Sequence, residues 1–202
     1  MENLLRDAFT RFYGLPHSDT PDIAIQTNDP YFGVGEDYHH ETQICPAIDS
    51  GIARYSNTQS LQIIIINYDK FLSNLPHRFQ QNKKRCDLIV YSQGGQDFLL
   101  NELKDKNPEF DGVREYAITQ LVCSLALLME VPEISEFAHG YPIGRCCYFN
   151  KKEEVIVSII AVDAFNQLNT LNKKGFKLSN PEIESLRFEL FEYSGSVEYI
   201  FS

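Results

Sequence analysis

The sequence has no apolar run approaching the roughly 20 residues needed to span a bilayer as a helix. Its first residues, MENLLRDAFTRFYG, carry acids in an amphipathic pattern, which excludes reading them as a secretory signal. No C-x-x-C pair occurs among the five cysteines, Cys45, Cys86, Cys123, Cys146 and Cys147. An odd number without paired spacing argues against a disulfide framework, and the apolar neighbours of Cys86 and Cys123 suit small buried side chains in a reducing compartment. A cytoplasmic location is the expectation. Basic residues are scarce: 18 Lys and Arg stand against 28 Asp and Glu, a net charge of −10. Such a balance opposes unaided nucleic-acid binding, whose affinity comes mostly from neutralised phosphates. Divalent cations, a local basic patch or a partner subunit would have to offset it. Internal repeats and low-complexity segments are missing too.

What remains is ordinary globular composition, 43% hydrophobic and 23% charged, over 202 residues. That length fits one domain, 1–202. Residues 2–13 place Leu4, Leu5, Ala8, Phe9 and Phe12 on one helical face. From Gly14 to about Asn57 the signals are turn-rich, and a structureless loop of that length would be unusual, so short strands are expected. Leu61–Ile66 is a β-branched run that reads as a buried strand, followed by a short helix in NYDKFLSNL that Pro76 ends. Two strands, Cys86–Tyr91 and Phe98–Lys104, flank the turn SQGGQD. Residues 113–130 form the clearest helix, bounded by Gly112 and Pro132, and it is apolar enough to lie against a sheet. Ile143–Phe149 predicts a further strand and Glu153–Leu171 a second long helix, although VIVSII within it has strong strand character. The tail RFELFEYSGSVEYIF alternates on both sides of Ser194-Gly195-Ser196, a hairpin signal. The order predicts an α/β fold: a central mixed β-sheet flanked by helices, with a C-terminal β-hairpin in 166–202.

The charges of the 87–104 hairpin carry the chemistry. With Gly94-Gly95 as a two-residue turn, Tyr91 faces Phe98 and Asp87 falls opposite Glu102. Alternation then puts Phe98, Leu100, Glu102 and Lys104 on the same face as Asp87, Ile89 and Tyr91. Two carboxylates with Cβ atoms roughly 5 Å apart repel, and nothing in a stable hairpin requires them. A divalent cation turns that repulsion into a ligand set, since Mg²⁺ takes one or two carboxylates together with waters and substrate phosphate oxygens. Lys104 would orient the attacking water or neutralise charge growing on the phosphate. The plain alternative is the solvated end of an amphipathic hairpin in which Lys104 screens the acids.

Cys86-Asp87-Leu-Ile-Val-Tyr, a short turn and Phe-Leu-Leu-Asn-Glu102-Leu-Lys104 together resemble the D…E-x-K core of the PD-(D/E)XK, or restriction-endonuclease-like, nuclease superfamily. The following helix, VREYAITQLVCSLALL, is similar to the one that packs behind the active-site strands there. The resemblance covers roughly residues 61–165, with residues 1–60 as an N-terminal helix and irregular extension. It implies Mg²⁺- (or Mn²⁺-) dependent cleavage of DNA or RNA, with Asp87 and Glu102 as metal ligands and Lys104 as the catalytic lysine. Cys86 replaces the proline of the family motif. An acid from an upstream helix is often part of such sites, and Asp7, Glu41, Asp49 and Asp69 all qualify. Gln120 matches a glutamine that some members place on the helix facing the site; otherwise it caps a neighbouring strand. Tyr116 lies one turn before it, rather than at the spacing of the tyrosine that accompanies this glutamine in one subgroup.

Lys83-Lys84-Arg85 directly precedes the first active strand, placed either to touch substrate phosphates or to serve as a solvated charge run. His39-His40-Glu41 with Cys45 lacks a second ligand pair and reads as a surface loop rather than a zinc site. Ser92-Gln-Gly-Gly lacks the lysine of a phosphate-binding loop. Three functions follow in order: a nuclease acting in defence or nucleic-acid processing with a partner or as a homo-oligomer; a non-catalytic binding or assembly module of the same fold; and an acidic immunity or inhibitor protein that imitates nucleic acid.

Overall fold

A computed structural model describes residues 1–36, 42–45, 47–81, 83–107, 112–152 and 175–202. The helix expected over 153–171 and the His39-His40-Glu41 cluster lie outside those residues. The fold is α/β, built on a seven-stranded mixed sheet and a four-stranded sheet.

The large sheet is laid down by β1 (Ala24–Thr27), β5 (Gln62–Asn67), β6 (Leu88–Gln93), β7 (Asp97–Lys104), β8 (Ile143–Asn150), β9 (Phe176–Leu178) and β10 (Glu189–Ser194). They lie in the order β1-β5-β6-β7-β8-β10-β9, with neighbours antiparallel from β1 to β7, β7–β8 and β8–β10 parallel, and β9 antiparallel at the far edge. Both faces are covered, which explains why the inner strands read as nearly continuous apolar runs. One face packs Ile89, Phe98 and Leu100 against the helices. The other packs Leu88, Val90, Leu99 and Leu103 against the small sheet, formed by β2 (Tyr31–Glu36), β3 (Thr42–Cys45), β4 (Ala53–Ser56) and β11 (Tyr199–Ile200). β2, β3 and β4, together with β1, occupy the turn-rich 14–57 region, as its length requires.

On the helical face, a π-wound segment, Leu4–Phe9, runs into the turn α1 (Thr10–Phe12) and buries Leu5, Ala8 and Phe9. The short α2 (Tyr68–Ser73) starts directly off β5, with the Asn67 side chain capping the Lys70 N–H at 2.7 Å. Beyond it lie α3 (His77–Gln80), α4 (Val113–Met129), α5 (Pro132–His139) and α6 (Pro181–Ser185). The long α4 connects the parallel pair β7 and β8 and buries Ala117, Leu121, Leu125 and Leu128. Pro132 ends nothing beyond α4 itself: it is also the first residue of α5, a position where its missing N–H costs no hydrogen bond. No single helix among the described residues is long and apolar enough to cross a membrane.

The register of the central hairpin is as the sequence predicts, with Tyr91 on Phe98, Ile89 on Leu100 and Leu88 on Asn101. The turn itself differs. Only Gly94 has positive φ (77°), and Gly95 closes the turn by donating its N–H to Ser92 O at 3.2 Å. A Cβ on Gly95 would collide with the Ser92 hydroxyl, so this second glycine answers to space rather than to φ.

The C-terminal hairpin is corrected. β10 and β11 do not pair with each other. Both edges of β10 are taken, by β8 and β9, while β11 crosses to the small sheet and aligns Tyr199 with Tyr55. A turn is present at Gly195 (φ 59°), but the chain leaves it toward Asp97. That buried carboxylate accepts the Tyr199 hydroxyl at 2.6 Å and the Ser202 N–H at 2.9 Å. Alternation thus reported strand character correctly and partner choice not at all.

Candidate active site

Asp87, Glu102 and Lys104 gather at the end of the large sheet where β5 and β7 finish and β6 begins. Asp87 is held by two elements, α2 and β7. Its carbonyl accepts the N–H groups of Tyr68 (2.9 Å) and Asp69 (3.2 Å) at the start of α2, and its own N–H donates to Asn101 O at 3.1 Å. One carboxylate oxygen, Oδ2, accepts the Leu103 N–H at 2.7 Å. The ladder therefore ends with a side chain substituting for backbone. Asp87 lies just past the last paired residues, beside Glu102 rather than in a regular cross-strand pair.

The residues preceding Asp87 are fixed from α4. Gln120 Nε2 donates to the Arg85 carbonyl at 2.7 Å, and one turn on, Ser124 Oγ accepts the Cys86 N–H at 2.7 Å. Gln120 thus stands behind Asp87, and the described contacts make it a positioning residue. Ser124 was not singled out from the sequence, where a serine in an apolar helix gives no signal of what it faces. It is fully buried, so Ser124→Ala should strand the Cys86 N–H and cost about 1–3 kcal/mol of stability. Equilibrium urea unfolding reads this out, and an unchanged midpoint would contradict it.

Glu102 sits on β7, the middle strand of seven, and its side chain is 0% exposed. Oε1 accepts a hydrogen bond from Lys104 Nζ, whereas Oε2 is buried and finds no partner among the described residues. A buried carboxylate oxygen left unpaired is expensive unless the group is neutralised. The electrostatics agree. Burial, followed by repulsion from Asp87, pushes the Glu102 carboxyl up to about 8 despite the lysine. Burial pushes Asp87 up to about 6, with its Leu103 hydrogen bond and Lys104 opposing and Glu36 and Asp69 adding to the rise. Lys104 is pulled down by burial, but the charge and hydrogen bond of Glu102 outweigh this and leave it raised. The lysine keeps its charge, and the carboxylates bind protons at pH values where exposed ones would not.

Asp87 opens into a cleft of about 400 Å³ lined by Glu36, Asn67, Asp69, Lys70 and Ser73 among others. Of the three upstream acids among the described residues, Asp69 is the one at the site, acting on both Asp87 and Glu102 and ion-paired with Arg85. Asp7 pairs with His17 (2.9 Å) and Asp49 with Arg54 (3.1 Å), neither of them lining the cleft, and Glu41 lies outside the described residues. Glu36, at the end of β2, is an acid that sequence reading missed. It reaches the cleft only through the packing of one sheet on the other, and no local pattern reports that.

The basic run divides. Arg85 is spent on Asp69 and on Ser73 Oγ (2.9 Å). Lys83 lies 4.8 Å from the Phe79 ring centre and Lys84 lies 4.8 Å from that of Tyr116. Among the described residues no group of three or more His, Cys, Asp and Glu side chains is arranged to hold a metal ion. Two carboxylates with an unpaired oxygen nevertheless fit a cation that keeps most of its waters, the usual habit of Mg²⁺. All five cysteines are free, and Cys86, Cys146 and Cys147 are buried. No protein-family model, curated protein or solved structure matches the chain.

Proposed function

We propose that the protein is a metal-dependent nuclease that hydrolyses phosphodiester bonds at Asp87, Glu102 and Lys104. The observation that carries this reading is the fully buried Glu102, with one oxygen on Lys104 and the other unpartnered, next to a second carboxylate at a cleft. A structural ion pair would satisfy both oxygens; a ligand pair waiting for a cation leaves one free. The strand–turn–strand–helix order required by the PD-(D/E)XK resemblance also supports it, with β6, β7 and α4 in those places.

Asp87 Oδ1 and Glu102 Oε2 are the atoms available to hold Mg²⁺ or Mn²⁺. When bound, the cation would supply a Lewis acid and a template for in-line attack on the phosphate. Lys104, kept protonated by Glu102, orients the attacking water and places positive charge next to the phosphate oxygens. Gln120 and Ser124 hold Arg85 and Cys86 so that Asp87 keeps its position. Lys83 and Lys84 meet substrate phosphates; Arg85, already paired, shapes the site through Asp69. With a net charge of −10, the chain is proposed to gain further substrate affinity from a partner subunit or a second copy. Free buried cysteines favour a reducing compartment, the cytoplasm, as its setting.

The test is incubation with supercoiled plasmid, linear duplex, single-stranded DNA and RNA in Mg²⁺, Mn²⁺ or EDTA. Cleavage of at least one substrate in metal and none in EDTA is expected. No cleavage under any condition would overturn the reading, and tight binding of a basic protein without cleavage would favour the acidic inhibitor instead.

A further inference from the structure

The first turn of α4 presents Tyr116 at the rim of this site, 51% exposed although large and aromatic. Two ammonium groups attend its ring: Lys84 Nζ at 4.8 Å from the centre and Lys104 Nζ at 6.0 Å. Lys104 also holds Glu102, so the ring stands one side chain away from the proposed chemistry. Lys83 is next in the chain to Lys84, itself set on Phe79. On an acidic chain, two cations are therefore gathered on one exposed ring beside Glu102, and a third, Lys83, precedes Lys84 in the chain on a ring of its own.

We propose that Tyr116, with Lys84 and Lys104, is a stacking platform that seats one unpaired base of a single-stranded nucleic acid beside Glu102 and Lys104. This rests on the nuclease reading and names its substrate class. An exposed ring takes a base only after that base has left its own stack, which a single strand offers and an intact duplex does not. Lys84 and Lys104 then meet the adjoining phosphates. The charge balance points the same way. Duplex binding without base contacts needs many phosphate contacts, whereas stacking gives affinity that a net charge of −10 does not cancel.

The experiment measures binding by fluorescence anisotropy in EDTA at low salt, so that no cleavage intervenes, with labelled single-stranded DNA, single-stranded RNA and duplex of the same sequence. Wild type, Tyr116→Ala, Tyr116→Phe and Lys84→Ala are compared, with thermal melting as the folding control. The single strand should bind more tightly than the duplex. Tyr116→Ala should weaken that binding about tenfold or more, Tyr116→Phe should stay near wild type, and Lys84→Ala should lower the salt dependence by about 0.7 in log–log slope. The DNA and RNA arms decide which sugar is preferred. Equal binding by Tyr116→Ala, duplex bound as tightly as single strand, or binding of neither would overturn the proposal. Cleavage in Mg²⁺ is followed in parallel. Tyr116-dependent binding without cleavage keeps the platform and rejects the nuclease, while cleavage of a duplex indifferent to Tyr116→Ala keeps the nuclease and rejects the platform.

Discussion

Replacing Glu102 with glutamine should lower metal-dependent cleavage by roughly a thousandfold or more while leaving the protein folded. The substitution keeps the shape of a side chain buried on both sides by β6 and β8 and still offers Lys104 an oxygen to bond. What it removes is the anionic oxygen that finds no partner among the described residues. A catalytic metal supplies several kcal/mol of transition-state stabilisation, and each 1.4 kcal/mol or so is tenfold in rate, which gives the expected loss. Rates on one substrate for wild type and variant, with circular dichroism to show that both are folded, measure the effect. Cleavage by Glu102→Gln at the wild-type rate would mean that this residue holds no cation and that Lys104 merely screens a structural acid.

The second large effect is on stability. In EDTA the protein should become less stable as pH rises from about 4 to about 8, and Mg²⁺ should reverse much of the loss at the upper end. Glu102 titrates at about 8 in the folded protein against 4.5 as a free side chain, and Asp87 at about 6 against 3.8. Between each pair of values the folded state binds more protons than the unfolded state, so stability decreases as pH climbs through that window and flattens above it. A cation must displace those protons, so it binds better at pH 8 than at pH 5. At a hundredfold excess over its dissociation constant it adds about 2.7 kcal/mol, an increase of about 5–10 °C in Tm for a chain of this size. Other carboxylates act in the opposite direction, Glu189 among them, held below its usual range chiefly by the Lys177 hydrogen bond. The difference between wild type and Glu102→Gln across the pH series isolates the contribution of the pair. Parallel curves for the two proteins would contradict the burial cost assigned to Glu102.

The parts of this site that were legible in the sequence are those set by local rules. Gly94 supplies the positive φ, the apolar runs on either side fix two buried strands, and the symmetry of the turn fixes their register. That is enough to place Asp87, Glu102 and Lys104 together. The apolar circumference of residues 113–130 likewise foretold a helix pressed on the sheet. What escaped depends on contacts distant in sequence. The strands at 189–194 and 199–200 were seen as strands, but their alternation could not say that one would lie parallel to β8 and the other join a second sheet. The short strands β2, β3 and β4 draw their stability from packing Phe32, Val34 and Tyr55 on the large sheet rather than from their own propensity, and Glu36 is delivered to the cleft by that packing alone. Ser124 shows the same: its spacing on the helix is ordinary, and its role appears only once Cys86 is laid against it.

Whether a divalent cation joins Asp87 to Glu102 is tested most directly by titrating the protein with Mn²⁺ at pH 8 and reading free Mn²⁺ by electron paramagnetic resonance. Wild type is expected to remove Mn²⁺ from the free signal at a site that Mg²⁺ competes for, and Glu102→Gln and Asp87→Asn to weaken that binding at least tenfold. Full free signal with the wild-type protein, or binding by both variants equal to wild type, would contradict a metal site at this hairpin.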